Sequence, residues 1–293
     1  MTEFIQITLD GLMTGLIYAA LALALSVIFQ GTGMLNLAQG EMAVLAAYIS
    51  YSALMMGIPL WLAIPIAIVI SAAIGAAVYF VVVRWVDRRN QTALTTLGVT
   101  LLLGISAIVS MIWGTDPQRF PPLFGTWVVG FAGLRLTSQQ VAGAVLVGGA
   151  MLAMVLLFKY TAFGLRLRAV AQNQSSAALL GITGGVWLAS GWAVASGVGT
   201  IAGVVAAPSL GLSPGMMTVP LLMALAATNL GGISSRGGVV LGGLMIGVLT
   251  ALGGRYVPGL GGDLNVLLAF VVVIAIVMMK PAGLFGREST VRA

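Results

Sequence analysis

The chain has 293 residues, 60% of them hydrophobic and only 7% charged, with a net charge of +6 and a mean hydropathy of +1.11. A soluble domain of that length needs far more polar surface, so the composition defines an integral membrane protein, and one built of helices, because the strands of an outer-membrane barrel alternate and are much less apolar. Cysteine and histidine are absent, which removes disulfides, zinc sites, cysteine nucleophiles and histidine acid–base catalysis, and no basic run is suited to tracking a nucleic acid.

The opening residues, MTEFIQITLDGL, carry acids where a cleavable signal peptide carries cations. Apolar segments follow at roughly 12–29, 36–57, 60–84, 93–113, 139–158, 186–207, 219–233, 239–254 and 264–280. About 20 residues rising 1.5 Å each cross a hydrocarbon layer of about 30 Å. The expected fold is therefore an all-α, polytopic bundle of about 8–9 transmembrane segments in a single domain, 1–293. Segments 219–233 and 239–254 are short, so one of them is expected to be re-entrant or broken.

A cytoplasmic C-terminus puts Arg84, Arg88, Arg89, Lys159, Arg166, Arg168, Arg236, Lys280, Arg287 and Arg292 inside, and leaves Arg119, Arg135 and Arg255 outside with Glu3, Asp10, Asp116 and Asp263. That is a strong positive-inside bias, and it makes the N-terminus external and the loop 159–185 cytoplasmic. Glycines recur at small-xxx-small spacing, Gly11 with Gly15, Gly199 with Gly203, Gly238 with Gly242 and Gly243 with Gly247, as close helix packing requires. The loop Gly114–Gln140, with its prolines, Trp127 and Phe131, reads as an ordered external cap. No exact internal repeat is visible.

Polar residues inside apolar segments are the candidates for a solute path. Glu41 is the only carboxylate within one, about a turn into the second segment, preceded by Asn36 and Gln39. The competing reading is local: Asn36 and Gln39 have the spacing of a capping box, and an acid in the first turn suits the helix dipole. Asn229, just before the glycine-rich break GGISSRGG, is the fourth candidate, against an ordinary interhelical amide bond.

The stretch Lys159–Ile182, KYTAFGLRLRAVAQNQSSAALLGI, is the long polar segment between two lipid-like runs, with three cations and no acid. Ser175 or Ser176 could cap a short helix that Gly181 ends, and such a helix suits docking into a groove on another protein.

Here the sequence resembles a known family. Leu167-Arg-Ala-Val-Ala-Gln-Asn173 followed by Ala177-Ala-Leu-Leu-Gly-Ile182 is similar to the coupling segment of the branched-chain amino acid ABC-importer permeases of the LivH/LivM type. Asn36-Leu-Ala-Gln-Gly-Glu41 with Ala47-Tyr48, Leu230-Gly-Gly-Ile-Ser-Ser-Arg-Gly-Gly238 with Gly242-Gly243, and Lys280-Pro-Ala-Gly-Leu-Phe-Gly286 agree, in the family's order. The chain departs from the family at Gln39-Gly40, where a histidine often precedes the glycine, and at Lys280-Pro-Ala-Gly, which varies an arginine-proline-glutamine-glycine ending. The resemblance implies a permease subunit of the inner membrane that is not itself an enzyme. Its implied partners are a second homologous permease subunit, two cytoplasmic ABC ATPases that carry the ATP and Mg, and an extracytoplasmic solute-binding protein. It implies import of branched-chain or other hydrophobic amino acids or related small solutes, with ATPase coupling through Arg168, Ala169, Gln172, Asn173, Ala177 and Gly181. Independently, neither of the two lysines, Lys159 and Lys280, completes a phosphate-cradling GK[ST] motif, so this chain is expected to bind no nucleotide cofactor. The rival readings are an ion-coupled secondary transporter, for which Glu41 alone is a sparse relay, and a membrane scaffold that moves no solute.

Overall fold

A computed structural model describes residues 1–87, 90–131, 133–257, 264–280 and 283–286. Arg88, Arg89, Asp263, Arg287, Arg292 and the Pro281-Ala282 pair of the C-terminal motif lie outside the described residues. Each of the nine apolar segments is a helix: α1 (Thr2–Thr32), α2 (Gln39–Met55), α3 (Leu60–Val81), α4 (Gln91–Trp113), α5 (Ser138–Tyr160), α8 (Gly184–Leu210), α9 (Thr218–Gly231), α10 (Arg236–Tyr256) and α11 (Asn265–Met279). Between α5 and α8 the polar stretch folds into α6 (Ala162–Gln172) and α7 (Gln174–Leu179). The loop after α4 carries a hairpin of β1 (Val128–Phe131) and β2 (Leu134–Thr137).

Among the described residues, six helices are long and apolar enough to cross a membrane: α1, α3 with the short turn that follows it, α4, α5, α8 and α10. Of the two segments that looked short, α10 reaches 21 residues, whereas α9 has 14 and rises only about 21 Å. The helices α2, at 17 residues, and α11, at 15, are also short. Of these three, α2 and α9 start inside the bundle. The chain leaves α1 through Gly33 in the left-handed region (φ 73°) and re-enters before Gln39, and Gly211–Met217 does the same before α9.

The first four and the last four of these nine helices repeat one arrangement with inverted direction. Helix α1 packs on α10 as α8 packs on α3; α2 packs on α8 as α9 packs on α1; and α2 meets α4 as α9 meets α11. Sequence identity does not reveal this repeat, because it is conserved in packing only. It gives the bundle two ends: a hairpin end with the N-terminus and β1–β2, and an opposite end with α6 and α7.

The glycine pairs lie where the backbones approach most closely. A Cβ on Gly11 would sit 2.8 Å from the Gly247 carbonyl oxygen, and one on Gly15 3.0 Å from that of Gly243. The converse Cβ atoms on Gly243 and Gly247 would overlap the backbone of Ala19 and of Gly11 and Gly15. Gly199 and Gly203 of α8 admit Gln39 and Ala43 of α2, and Gly238 and Gly242 of α10 admit the end of α9. The ends of the α1–α10 pair are also tied. Arg255 Nε donates to Glu3 Oε1 at 2.8 Å on the hairpin end, and on the other Arg236 Nη2 donates to Gln30 Oε1 at 3.1 Å while its guanidinium lies over the Phe158 ring.

Gly247→Ala should lower the thermal unfolding midpoint of the chain in detergent, at a cost of about 1–3 kcal/mol for overpacking. Gly104→Ala, at a helical glycine with nothing within 4 Å of an added Cβ, should leave the midpoint unchanged or raise it. Equal effects of the two substitutions would show that the seam is not close-packed.

Candidate functional site

The two interrupted crossings meet inside the bundle. A Cβ on Gly40, in the first turn of α2, would lie 3.2 Å from the Met217 carbonyl oxygen and 3.3 Å from Leu221 Cβ at the start of α9. The segment before α2 rests on α4, with the Leu35 carbonyl oxygen 3.2 Å from where a Gly98 Cβ would stand. Backbone without regular hydrogen bonding survives at this depth because protein, not lipid, surrounds it.

Asn36, Gln39 and Glu41 come together here, all buried. The capping box does not form. Instead, Asn36 Oδ1 accepts from the Ala38 amide at 3.2 Å, its Nδ2 donates to Gln39 Oε1 at 3.2 Å, and Gln39 Nε2 donates to the Ala195 carbonyl in the middle of α8 at 3.0 Å. The reason is geometric: α2 begins at Gln39 with Ala38 as its N-cap, which puts Asn36 two residues too early to cap. These two amides are consumed in fastening the break to α8, and the nearby small residues, Gly199 above all, make room for the Gln39 side chain.

Glu41 differs. It is 4% exposed, faces the Ser106 hydroxyl on α4 and the backbone of Gly215 in the segment before α9, and its Oε2 has no hydrogen-bond partner among the described residues. A buried carboxyl oxygen without a donor is costly, and it is the chemically unspent group at the junction of the two breaks. Asn229 does not join it: this side chain is exposed near the far end of α9 and donates to Leu225 O of its own helix at 3.0 Å. Beside it the C-terminal segment closes the helix end, with the Leu284 amide donating to Leu230 O at 2.8 Å.

On the hairpin end, the break before α9 is tied to the loop Gly114–Gln140. Gln118 and Leu212 exchange backbone hydrogen bonds of 2.7 and 3.0 Å, Tyr51 Oη donates to Gln118 Oε1, and Tyr48 Oη donates to Leu212 O while its ring stacks on Trp113 at 5.1 Å. The loop is thus an ordered cap, with Phe120 and Leu123 turned into the bundle and Trp127 partly exposed. A proline-containing loop gave no sequence signal for the Gln118–Leu212 pairing, because backbone bonding carries no side-chain signature.

At the opposite end, α6 lies amphipathically against α8: Leu167 and Val170 are buried, Arg166 stacks over Trp187, and Arg168 Nε donates to Gly164 O at 3.1 Å. Asn173, rather than Ser175 or Ser176, caps α7, its Oδ1 accepting from the Ser176 amide at 2.9 Å. Gly181 ends that helix with φ 76°, while the Gly181 and Ile182 amides donate to Ala178 O and Ala177 O, the paired hydrogen bonds of a Schellman cap. Arg168, Gln172, Asn173 and Gly181 are exposed, Ala169 is half-buried, and Ala177 is 3% exposed and packs inward. Within the α6–α7 segment the most outward apolar groups are Leu179 and Leu180, 89% and 79% exposed. Two consecutive leucines between a polar helix and its terminating glycine were the available signal.

The comparisons with known proteins agree with this architecture. The family model described as the branched-chain amino acid transport system permease component matches residues 7–278. The high-affinity branched-chain amino acid transport system permease protein LivH of Escherichia coli strain K12 is 29% identical over 300 residues, covering 97% of this chain and 96% of that protein. Its counterpart BraD of Pseudomonas aeruginosa is 26% identical, again over 97% and 96% of the two chains, and the probable permease LivH of Methanocaldococcus jannaschii is 27% identical over 91% and 87%. Among solved structures, PsaBC from Streptococcus pneumoniae in complex with Fab superposes with a TM-score of 0.52 at 13% identity, over 93% of this chain and 91% of that one, a likeness of fold. With eight of the described apolar helices in two inverted sets of four and a family match running almost end to end, this chain belongs to the permease components of branched-chain amino acid transport systems.

Proposed function

We propose that this chain is the translocating subunit of an ATP-driven importer that moves branched-chain or similar hydrophobic amino acids into the cytoplasm. The match over residues 7–278 carries the proposal. The hairpin end is external and the α6–α7 end cytoplasmic in this reading, which is supported by the direction of the crossings: they collect Arg84, Lys159, Arg166, Arg168, Arg236 and Lys280 at one end and Arg119, Arg135 and Arg255 at the other. One partner ATPase would dock on the α6–α7 end and the other on the second permease; the ATPases hold the ATP and Mg, and this chain binds neither. A second homologous permease covers part of the apolar surface that α3 and α4 leave open, where Val69, Leu103 and Met111 are exposed, and lipid covers the rest. A solute-binding protein meets the external loop, and no nucleic acid takes part.

In this mechanism, closure of the ATPases moves α6 and α7 through Arg168, Ala169, Gln172, Asn173, Ala177 and Gly181, and the packed helices carry the motion to the junction of the two breaks. Glu41 is the path residue there, Asn36 and Gln39 position the start of α2, and Asn229 faces the cytoplasmic mouth. The ligand-free energy gap between the two states has only to be a few kcal/mol for a partner's differential contacts to shift it.

Purified from its native membrane in mild detergent, the chain should bring down two ATPases and a second permease in stoichiometric amounts. Because it has no cysteine, Leu179→Cys should crosslink to an ATPase; recovery of the chain alone, with uptake abolished by an uncoupler at constant ATP, would transfer the reading to an ion-coupled transporter. Leu180→Asp should leave the chain inserted and lower ATP-dependent uptake at least about tenfold. It is a cleaner probe than Gly181→Asp, which adds backbone strain to the charge. Normal uptake in that variant would remove α7 from the docking surface.

A further pair separates path from scaffold. Glu41→Gln should depress uptake while unfolding temperature and copurification of the ATPases stay unchanged. Gln39→Leu, which loses the bond to Ala195, should lower stability by about 1–2 kcal/mol. Unimpaired uptake in Glu41→Gln would show that the carboxylate is structural.

A further inference from the structure

Between α1, the start of α5 and the end of α8, on the hairpin half of the bundle, lies a cavity of about 320 Å³ that the scheme above leaves unused. That is within the range of small-molecule sites, about 300–1,000 Å³. Its lining includes the polar Asp10, Thr14 and Ser209, the apolar Met13, Ile17 and Val205, and Pro220 at the start of α9.

Asp10 is held in a set orientation. Gln6 Nε2 at 2.9 Å and Gln140 Nε2 at 2.6 Å donate to the same oxygen, Oδ1. Each glutamine is fixed in turn, Gln6 Oε1 accepting from the Arg135 amide at 2.8 Å and Gln140 Oε1 from the Thr137 amide at 2.8 Å, within the capping box that starts α5. The other oxygen, Oδ2, has no hydrogen-bond partner, and no lysine or arginine pairs with Asp10, among the described residues. The cation nearest in kind, Arg255, is spent on Glu3. A half-buried carboxylate oriented by two amides, two turns along α1 and with no paired cation among the described residues, can receive a positive charge.

We propose that this cavity is a binding seat for a primary ammonium group carried on a short aliphatic body, the ammonium donating to Asp10 Oδ2 and the hydrocarbon lying on Met13, Ile17 and Val205. The cavity wall offers no cation to a carboxylate, so the amine end decides binding. Identification of the occupant as the imported amino acid rests on the importer reading; the chemistry of the seat does not.

The test is calorimetric titration of the full chain in lipid nanodiscs with 3-methylbutylamine, L-leucine and 4-methylpentanoate. The amine and leucine should bind, the acid should not, and Asp10→Asn should weaken the amine at least tenfold, about 1.4 kcal/mol. Ile17→Phe, which fills the cavity without touching the Gln6–Asp10–Gln140 chain, should weaken it as well. No binding of the amine to the wild type, equal affinity in Asp10→Asn, or displacement by sodium or potassium at matched ionic strength would each overturn the proposal. Uptake by the assembled transporter distinguishes the two claims. Unchanged leucine uptake in Asp10→Asn takes the seat off the route while the importer stands, whereas amine binding lost in Asp10→Asn with no uptake by the wild-type assembly keeps the seat and removes the importer.

Discussion

The backbone contact between α1 and α10 is the constraint from which the other positions follow. In a bilayer, helices gain little from hiding apolar side chains, because lipid tails are as apolar as leucine, and association depends on close packing instead. Four glycines, Gly11, Gly15, Gly243 and Gly247, remove the side chains that would hold these two helices apart. The contact joins the first crossing to the tenth helix and so draws the two halves of the chain into one body. Its inverted counterpart, α3 on α8, uses Gly75 against Ser196 in the same way. Once these two pairs are set, α2 and α9 have nowhere to lie except between them, and both are too short to cross alone.

The short helices create the polar problem and the functional opportunity together. A helix that begins inside the bundle exposes unsatisfied amides, and the segment before it exposes carbonyls. The chain answers with local partners: Asn36 holds Ala38 and Gln39, Gln39 reaches Ala195, and Leu212 pairs with Gln118. Each of these bonds closes a gap with neutral groups. Glu41 is the exception, an ionisable group brought to the same place and left partly unsatisfied, so it is the member of the cluster whose presence packing does not explain.

Much of the fold was legible because the relevant physics is local. Runs of apolar residues announce the nine helices, spacing of four announces the glycine seams, and Gly181 announces the end of α7. What could not be read depends on where distant segments meet. The start of α2 at Gln39 decides whether Asn36 caps a helix or bridges a turn, and a shift of one or two residues separates the two. Asn229 looked equivalent to Glu41 because both sit in apolar runs, yet α9 turns it outward to bond its own backbone. The inverted repeat is a symmetry of contacts between helices of different sequence, and Asp10 acquires its setting only when α5 delivers Gln140 from 130 residues away.

The distribution of bonding also indicates where such a bundle can yield. Along α1 and α10 the contact is continuous, backbone against backbone, and any sliding would drive carbonyl oxygens into the facing helix. The junction of α2 and α9 is held by a handful of side-chain bonds, by a single backbone bridge to the loop Gly114–Gln140, and by glycines at 33, 211 and 215 that already occupy the left-handed region. Packed seams are stiff because there is no free volume to move into, whereas a short helix anchored at one end can pivot about the irregular segment beside it. On the importer reading, the work arriving at α6 and α7 therefore leaves the α1–α10 and α3–α8 pairs intact and appears as rearrangement of the two breaks. The Asp10 cavity borders that rearrangement, since Pro220 of α9 is part of its lining. Motion of α9 would change the shape of the seat while its carboxylate, fastened to α1 and α5, stays in place.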